Sequence, residues 1–235
     1  MNLGPNSMQA LRVLIHLFLL TLFACRPQSD PPAEVFRSFE QALKTSDMQS
    51  LDSLVDSGTR EYFRALQPWI IVGDEDSLPS LNPFDQYLIY LIRMHLDALE
   101  KFEWKAWLDG LQTQPSPNAL SGYLLEILEE SFFRASLGEV DTYAGVTAGP
   151  LYRLRSDTGL RVRFKNEDGW KIDLRNFLQE HFKQEIKPYL TDRYKNRDRV
   201  WEMLRAKYGD RVNSNLKTSR VARQSIVPVD IKSYE

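Results

Sequence analysis

Toward the middle of the chain the apolar residues stop recurring every three to four positions and begin to alternate. Leu160, Val162 and Phe164 alternate with Arg161, Arg163 and Lys165, and Trp170, Ile172 and Leu174 alternate with Lys171 and Asp173. Successive side chains of a strand point to opposite faces, so this period of two describes strands with one apolar and one charged face. Asn166-Glu167-Asp168-Gly169 reads as the turn between the two runs, with Asp-Gly its strongest element. Upstream, Tyr152 and Leu154 alternate with Arg153 and Arg155, and Ser156-Asp157-Thr158-Gly159 reads as a second turn. The result is a three-strand antiparallel meander. Val140 to Thr147 adds a fourth strand that ends before Ala148-Gly149-Pro150.

A sheet that is greasy on one face needs a cover, and the flanking sequence supplies helices. Asp30-Pro31-Pro32 sets up a helix start with Asp30 as cap, and Val35, Phe36, Phe39, Ala42 and Leu43 then form one apolar stripe. Ser46 or Asp47 caps a second short helix carrying Leu51, Leu54 and Val55, closed by Gly58. Thr59 to Leu66 gives another turn or two. Pro68 to Pro83 reads as loop, with WIIV inside it compatible with a short strand. Asn82-Pro83 opens the longest helix, to about Leu108, with Phe84, Leu88, Leu91, His95 and Leu99 on one side. Ala119 to Leu137 is a further helix, stopped by Gly138. Beyond the sheet, Asn176 to Ile186 and Asp192 to Tyr208 return to helical spacing. The expected class is α+β: N-terminal helices, a curved antiparallel sheet at about 140–174, and C-terminal helices.

The N-terminus has a different character. Val13 to Ala24 is a twelve-residue apolar run interrupted only by His16 and Thr21, with Arg12 before it. A bilayer core needs roughly 20 such residues, so this run is too short to span one. A positive flank, a short apolar core and a small residue before a cut site are the marks of a secretory signal peptide. Met8, as an alternative start to Met1, would give the tighter flank MQALR. Cys25 is the only cysteine, so no internal disulfide can form. It stands directly after the run, and Arg26 to Pro32 (RPQSDPP) has the composition of an extended tether.

The segment Leu22-Phe23-Ala24-Cys25 resembles the bacterial lipobox, with an aliphatic residue three before the cysteine and a small one immediately before it. That resemblance implies cleavage between Ala24 and Cys25 and acylation of the Cys25 thiol. Two or more acyl chains hold a soluble domain on a membrane stably, where one is marginal. Arg26 stands where an Asp would resemble an inner-membrane retention signal, which favours the outer membrane in a cell that has one. The expected address is the cell envelope. The expected organisation is signal peptide 1–24, lipidated tether 25–32, one α+β domain 33–208 and an irregular basic tail 209–235.

Two further stretches, Ala33 to Asp56 and Leu160 to Leu174, resemble lipoproteins and secreted domains of the nuclear transport factor two-like superfamily. That likeness implies helices packed on a strongly curved sheet, forming a cone with a pocket. Residues 84–137 would then be a helical insertion, and the helices after Leu174 an extension.

Chemistry-bearing residues are few. His95, flanked by Arg93 and Asp97, is a pocket candidate on the apolar side of a helix, and Trp170 is a second. His181 and Glu185 are four apart, which offers two metal ligands and no complete site. Gly73-Asp74-Glu75-Asp76-Ser77 lacks the ligand spacing of a calcium loop. No nucleophile elbow, phosphate loop or dinucleotide fingerprint occurs, so no catalytic residue, metal or cofactor is assigned. Net charge is −2, and no nucleic-acid motif is present. From Arg175 to Glu235 there are 14 basic against 8 acidic residues, against 15 and 24 from Arg26 to Leu174. The basic end would suit anionic headgroups or a polyanionic wall polymer. The function read from the sequence is a lipid-anchored envelope protein that binds a protein partner or a small apolar ligand. The alternatives are a pocket-bearing hydrolase or isomerase of the superfamily just named, and a structural protein touching cell-wall polymer.

Overall fold

The computed structural model describes residues 31–98, 128, 132, 134–186 and 199–220. The apolar run Val13–Ala24, Cys25 and Asp30 lie outside these residues. Pro31 takes the cap position of helix α1 (Pro32–Lys44), and Pro32 the first helical position, where a missing N–H has no partner to lose. Its five stripe residues are all buried, as their spacing predicts. Asp47, not Ser46, caps α2 (Met48–Leu54), its carboxylate accepting the Ser50 N–H at 3.1 Å. Val55 then runs extended and bridges Ile172. Gly58 does not close α2. It lies in the first turn of α3 (Ser57–Val72), which Asp56 caps.

Helix α3 corrects the sequence reading: WIIV, placed in a loop with a strand as the alternative, is its last turn, and Pro68 sits inside it. An internal proline costs a helix about 3 kcal/mol. Ile70, Ile71 and Val72 are 0%, 1% and 5% exposed, and burying each contributes about 1.5–3 kcal/mol, so packing outweighs the lost hydrogen bond. Asn82 opens α4 (Pro83–Ala98) as expected, accepting the Asp85 N–H at 3.0 Å. This helix is buried on nearly all sides rather than along one stripe, and includes Asp85, Gln86 and Arg93 in the interior. The expected continuation beyond Ala98 lies outside the described residues.

The expected helix over 119–137 holds at Leu128 and Phe132, which are helical and buried. It fails at its end, because Ala135–Leu137 is strand β1. Pairing with a neighbour decides this: Leu137 stands opposite Leu151, and three residues are too few to show a period. Val140 to Thr147 is not one strand. It is a hairpin of β2 (Asp141–Tyr143) and the start of β3 (Val146–Arg153), joined by Ala144 and Gly145, both at positive φ (50° and 80°). That backbone suits the right-handed twist of a two-residue hairpin.

Strand β3 runs through Gly149 and Pro150 instead of ending before them. A Cβ on Gly149 would meet Leu137 at 2.9 Å, so glycine admits β1 at close range. Pro150 coincides with a register shift, where a missing N–H is tolerated. The next turn is Leu154-Arg155, at φ 50° and 69°, not Ser156–Gly159. Leu154 is therefore 69% exposed, and Ser156–Glu167 is all β4. Two ordinary residues in left-handed conformation leave no compositional sign of a turn. β5 (Gly169–Ile172) follows the Asp168-Gly169 turn as expected, but Leu174 begins α5 (Leu174–His181) rather than extending the strand.

The sheet is antiparallel and curled, in the order β1-β3-β4-β5 with β2 also on β3. Leu160, Val162, Phe164 and Ile172 point inward and are buried, while Arg161 and Lys165 lie on the outer, exposed face. Helices cover the inner face. Phe132 stands 4.6 Å from Phe177, 5.4 Å from Phe39 and 5.8 Å from Phe36 between ring centroids, so aromatic rings fill the curl. After α5, a π-helical turn (Phe182–Ile186) leads out of the described residues. α6 (Arg199–Tyr208) returns to pack Trp201 on Tyr90 of α4. Residues 209–220, where the sequence shows no periodicity, form two short 3-10 turns that seat Val212 and Leu216 in the core.

Candidate functional site

Three helix starts meet beside the sheet. Asp56 caps α3, Asn82 caps α4 and Asp173 caps α5, each by accepting a backbone N–H three residues on. Asp56 is fully buried, and its carboxylate also accepts the Thr59 hydroxyl. The sequences Asp56-Ser57-Gly58-Thr59 and Asp173-Leu174-Arg175-Asn176 carry this capping signal. Gly58 resembles a helix stop and Asp173 continues a strand alternation, so both caps are hidden in the sequence. Lys165 reaches from β4 to both caps, with Nζ 2.7 Å from Asp56 and 3.0 Å from Asp173. Partial burial opposes its charge, but the hydrogen bonds and charges of the two aspartates prevail and hold the ammonium pKa above the usual lysine value. Glu167 completes the clamp by accepting the Ser57 N–H at 3.0 Å and its hydroxyl at 2.8 Å.

Between these caps lies a polar cleft of about 470 Å³, lined by Thr59, Asn82, Lys165, Arg175, Asn176 and Gln179 among others. The Arg175 N–H donates to Thr59 Oγ1 at 3.0 Å. Its guanidinium lies 4.4 Å above the Tyr62 ring centre, in cation–π geometry. Tyr62 is buried and donates its hydroxyl to Asp85. Burial, then the Asp85 charge and hydrogen bond, push the Tyr62 pKa well above its usual value. A second hollow of about 420 Å³ shares Asn82 and Gln179 with the first and is lined further by Pro83, Phe84 and Phe182, with Lys183 and Arg199.

The two sequence candidates are not at this cleft. His95 is half-buried near the far end of α4, and Trp170 packs partly buried against the core from β5. Neither lines either hollow. His181 is half-buried, and the Glu185 side chain lies outside what is described. Asp74, from the acidic loop, accepts the Ser77 N–H at 3.1 Å and its hydroxyl at 2.7 Å, a local turn. Among the described residues no group of three His, Cys, Asp or Glu side chains could hold a metal, and no helix is long and apolar enough to cross a membrane.

The buried Arg93 is the other ionic feature the sequence left unread. It is fully buried and donates to the carbonyls of Ile70 (2.6 Å), Trp69 (3.0 Å), Gly73 (2.6 Å), Leu216 (2.6 Å) and Thr218 (3.3 Å). Burial and then the nearby Arg220 guanidinium lower its pKa to about 9, against Tyr90 and Asp97, so it stays a cation at neutral pH. It ties the C-terminal end of α3 to residues 216–218 and has a structural role.

The class these observations define is an α+β domain with helices over one face of a curled antiparallel sheet and a polar cleft at its side. No family model, curated protein or solved structure matches the chain.

Proposed function

We propose that this chain is a lipid-anchored envelope protein whose α+β domain acts by binding rather than by catalysis. The observation that carries the reading is the apolar run Val13–Ala24 ending at Leu22-Phe23-Ala24-Cys25, with the sole thiol of the chain at the expected point of acylation. Helix α1 begins at Pro32, seven residues after Cys25. A tether of that length spans at most about 25 Å, so the anchor would keep the domain at the membrane surface. The binding half of the reading is supported by the cleft at Arg175 and by an interior filled with Val162, Phe164, Phe177 and Ile172. The nuclear transport factor two-like reading of the fold is supported by N-terminal helices against a curled sheet. The returning helix α6 is an addition to that plan.

The test is metabolic labelling with radioactive palmitate in a bacterial host. The expected result is label on the wild-type chain, and none on Cys25→Ala, which should also accumulate with its leader uncut. Equal labelling of both chains, or an unlabelled wild type with an intact leader, would overturn the anchor.

A further inference from the structure

We propose that the paired hollows beside Arg175 hold a small amphipathic organic oxyanion: its carboxylate or phosphate on the Arg175 guanidinium, its apolar body across the rim on Pro83, Phe84 and Phe182. The inference rests on the binding half of the function proposed above and is independent of the anchor.

Two cations, Lys165 and Arg175, and one carboxylate, Asp173, line the polar hollow, and the buried carboxylates of Asp56 and Asp85 bond to its lining residues Lys165 and Asn82. Lys165 is answered by Asp56 and Asp173, at 2.7 and 3.0 Å. Asp173 is in turn occupied by Lys165 and by the Asn176 N–H. Arg175 stands outside these pairings. It is half-buried and stacked on Tyr62, and among the described residues its guanidinium makes no hydrogen bond or ion pair, with Nε shut off from water and unpartnered. A planar guanidinium fork matches the two oxygens of a carboxylate or phosphate, and no described carboxylate meets this one directly. The stacking on Tyr62 and the backbone bond to Thr59 hold that fork in place before a ligand arrives.

Asn176 gives a second sign. Its Oδ1 is buried without a hydrogen-bond partner in the same cleft. Amide oxygen and nitrogen exchange places on a flip, and in the flipped orientation the Nδ2 donor takes that position, where it can serve an oxyanion. The apolar part follows from continuity: Asn82 and Gln179 belong to both hollows, and the second adds the rings of Phe84 and Phe182 beside Lys183, which pairs with Glu180, and Arg199. A fully hydrophilic anion would leave those rings unused, and a purely apolar ligand would leave Arg175 unanswered.

The test is isothermal titration of the full-length protein in mild detergent with hexanoate, hexyl phosphate, acetate and inorganic phosphate, at constant ionic strength. The detergent solution serves as blank. At least one hexyl compound should bind saturably at one site, about ten-fold or more tighter than its short counterpart, since each buried methylene adds to affinity. Whichever of the two binds tighter identifies the head group as carboxylate or phosphate. Arg175→Gln should weaken binding by about ten-fold or more. Should that variant fail to fold, Gln179→Glu sets a carboxylate one helical turn from Arg175, where it competes for the guanidinium, and the same loss is expected. No saturable heat, equal binding of long and short acids, or full affinity in Arg175→Gln or Gln179→Glu would overturn the proposal. Palmitate labelling is unaffected by any of these outcomes.

Discussion

Replacing Arg93 with methionine removes five donor contacts while keeping most of the side-chain volume, so hydrogen bonding and charge are tested rather than a cavity. Three acceptors are carbonyls at the end of α3 (Trp69, Ile70, Gly73), and two belong to the segment after α6 (Leu216, Thr218). Each charge-assisted bond is worth about 1.5–3 kcal/mol, and each orphaned buried carbonyl costs about 1–3 kcal/mol. Against this, methionine relieves the several kcal/mol spent in desolvating a guanidinium. The balance, which follows the behaviour of broken buried ionic networks, is a loss of about 3–5 kcal/mol. For a domain of this size that lowers Tm by about 6–20 °C. Urea unfolding followed by circular dichroism measures it. Limited proteolysis should show cutting within 209–220 under conditions where the wild type resists. A loss below about 1 kcal/mol would refute the reasoning, since it would mean that the carbonyls find other partners and that the guanidinium does not join the two segments.

Two further outcomes are expected. The raised Tyr62 pKa means that the folded state keeps a phenol proton that the unfolded chain loses near pH 10, so this contribution is complete below that pH and fades as pH rises through it. Tyr62→Phe should flatten the alkaline fall in stability, measured by denaturant titration between pH 9 and 11, and an unchanged slope would reject the assignment. Ending the chain at Ile186 removes the buried Val200, Trp201, Met203, Leu204, Val212 and Leu216 together with two Arg93 acceptors. The truncated protein should show no cooperative thermal transition, and a cooperative transition like that of the full chain would show that the sheet and first helices fold alone.

Where a pattern ran longer than a turn or two, the chain declared its structure. The stripe of α1, the alternation of Leu160, Val162 and Phe164, and the Asp168-Gly169 turn all stand where spacing put them, because helix and strand periods are local properties of the backbone. The proposed address also rests on the linear chain, since a segment like that ending at Cys25 is recognised as a string of residues. Tertiary structure decided the rest. Packing carried α3 through Pro68, and strand pairing drew Ala135–Leu137 out of a helical pattern. Leu154-Arg155 became a turn because the strands on either side meet there. The cleft shows the same division at the level of function. Arg175, Lys165 and Asn82 are remote in sequence and unremarkable in type, and only the folding of three capped helices against β4 brings them to one cleft, where among the described residues Arg175 has no direct ion pair.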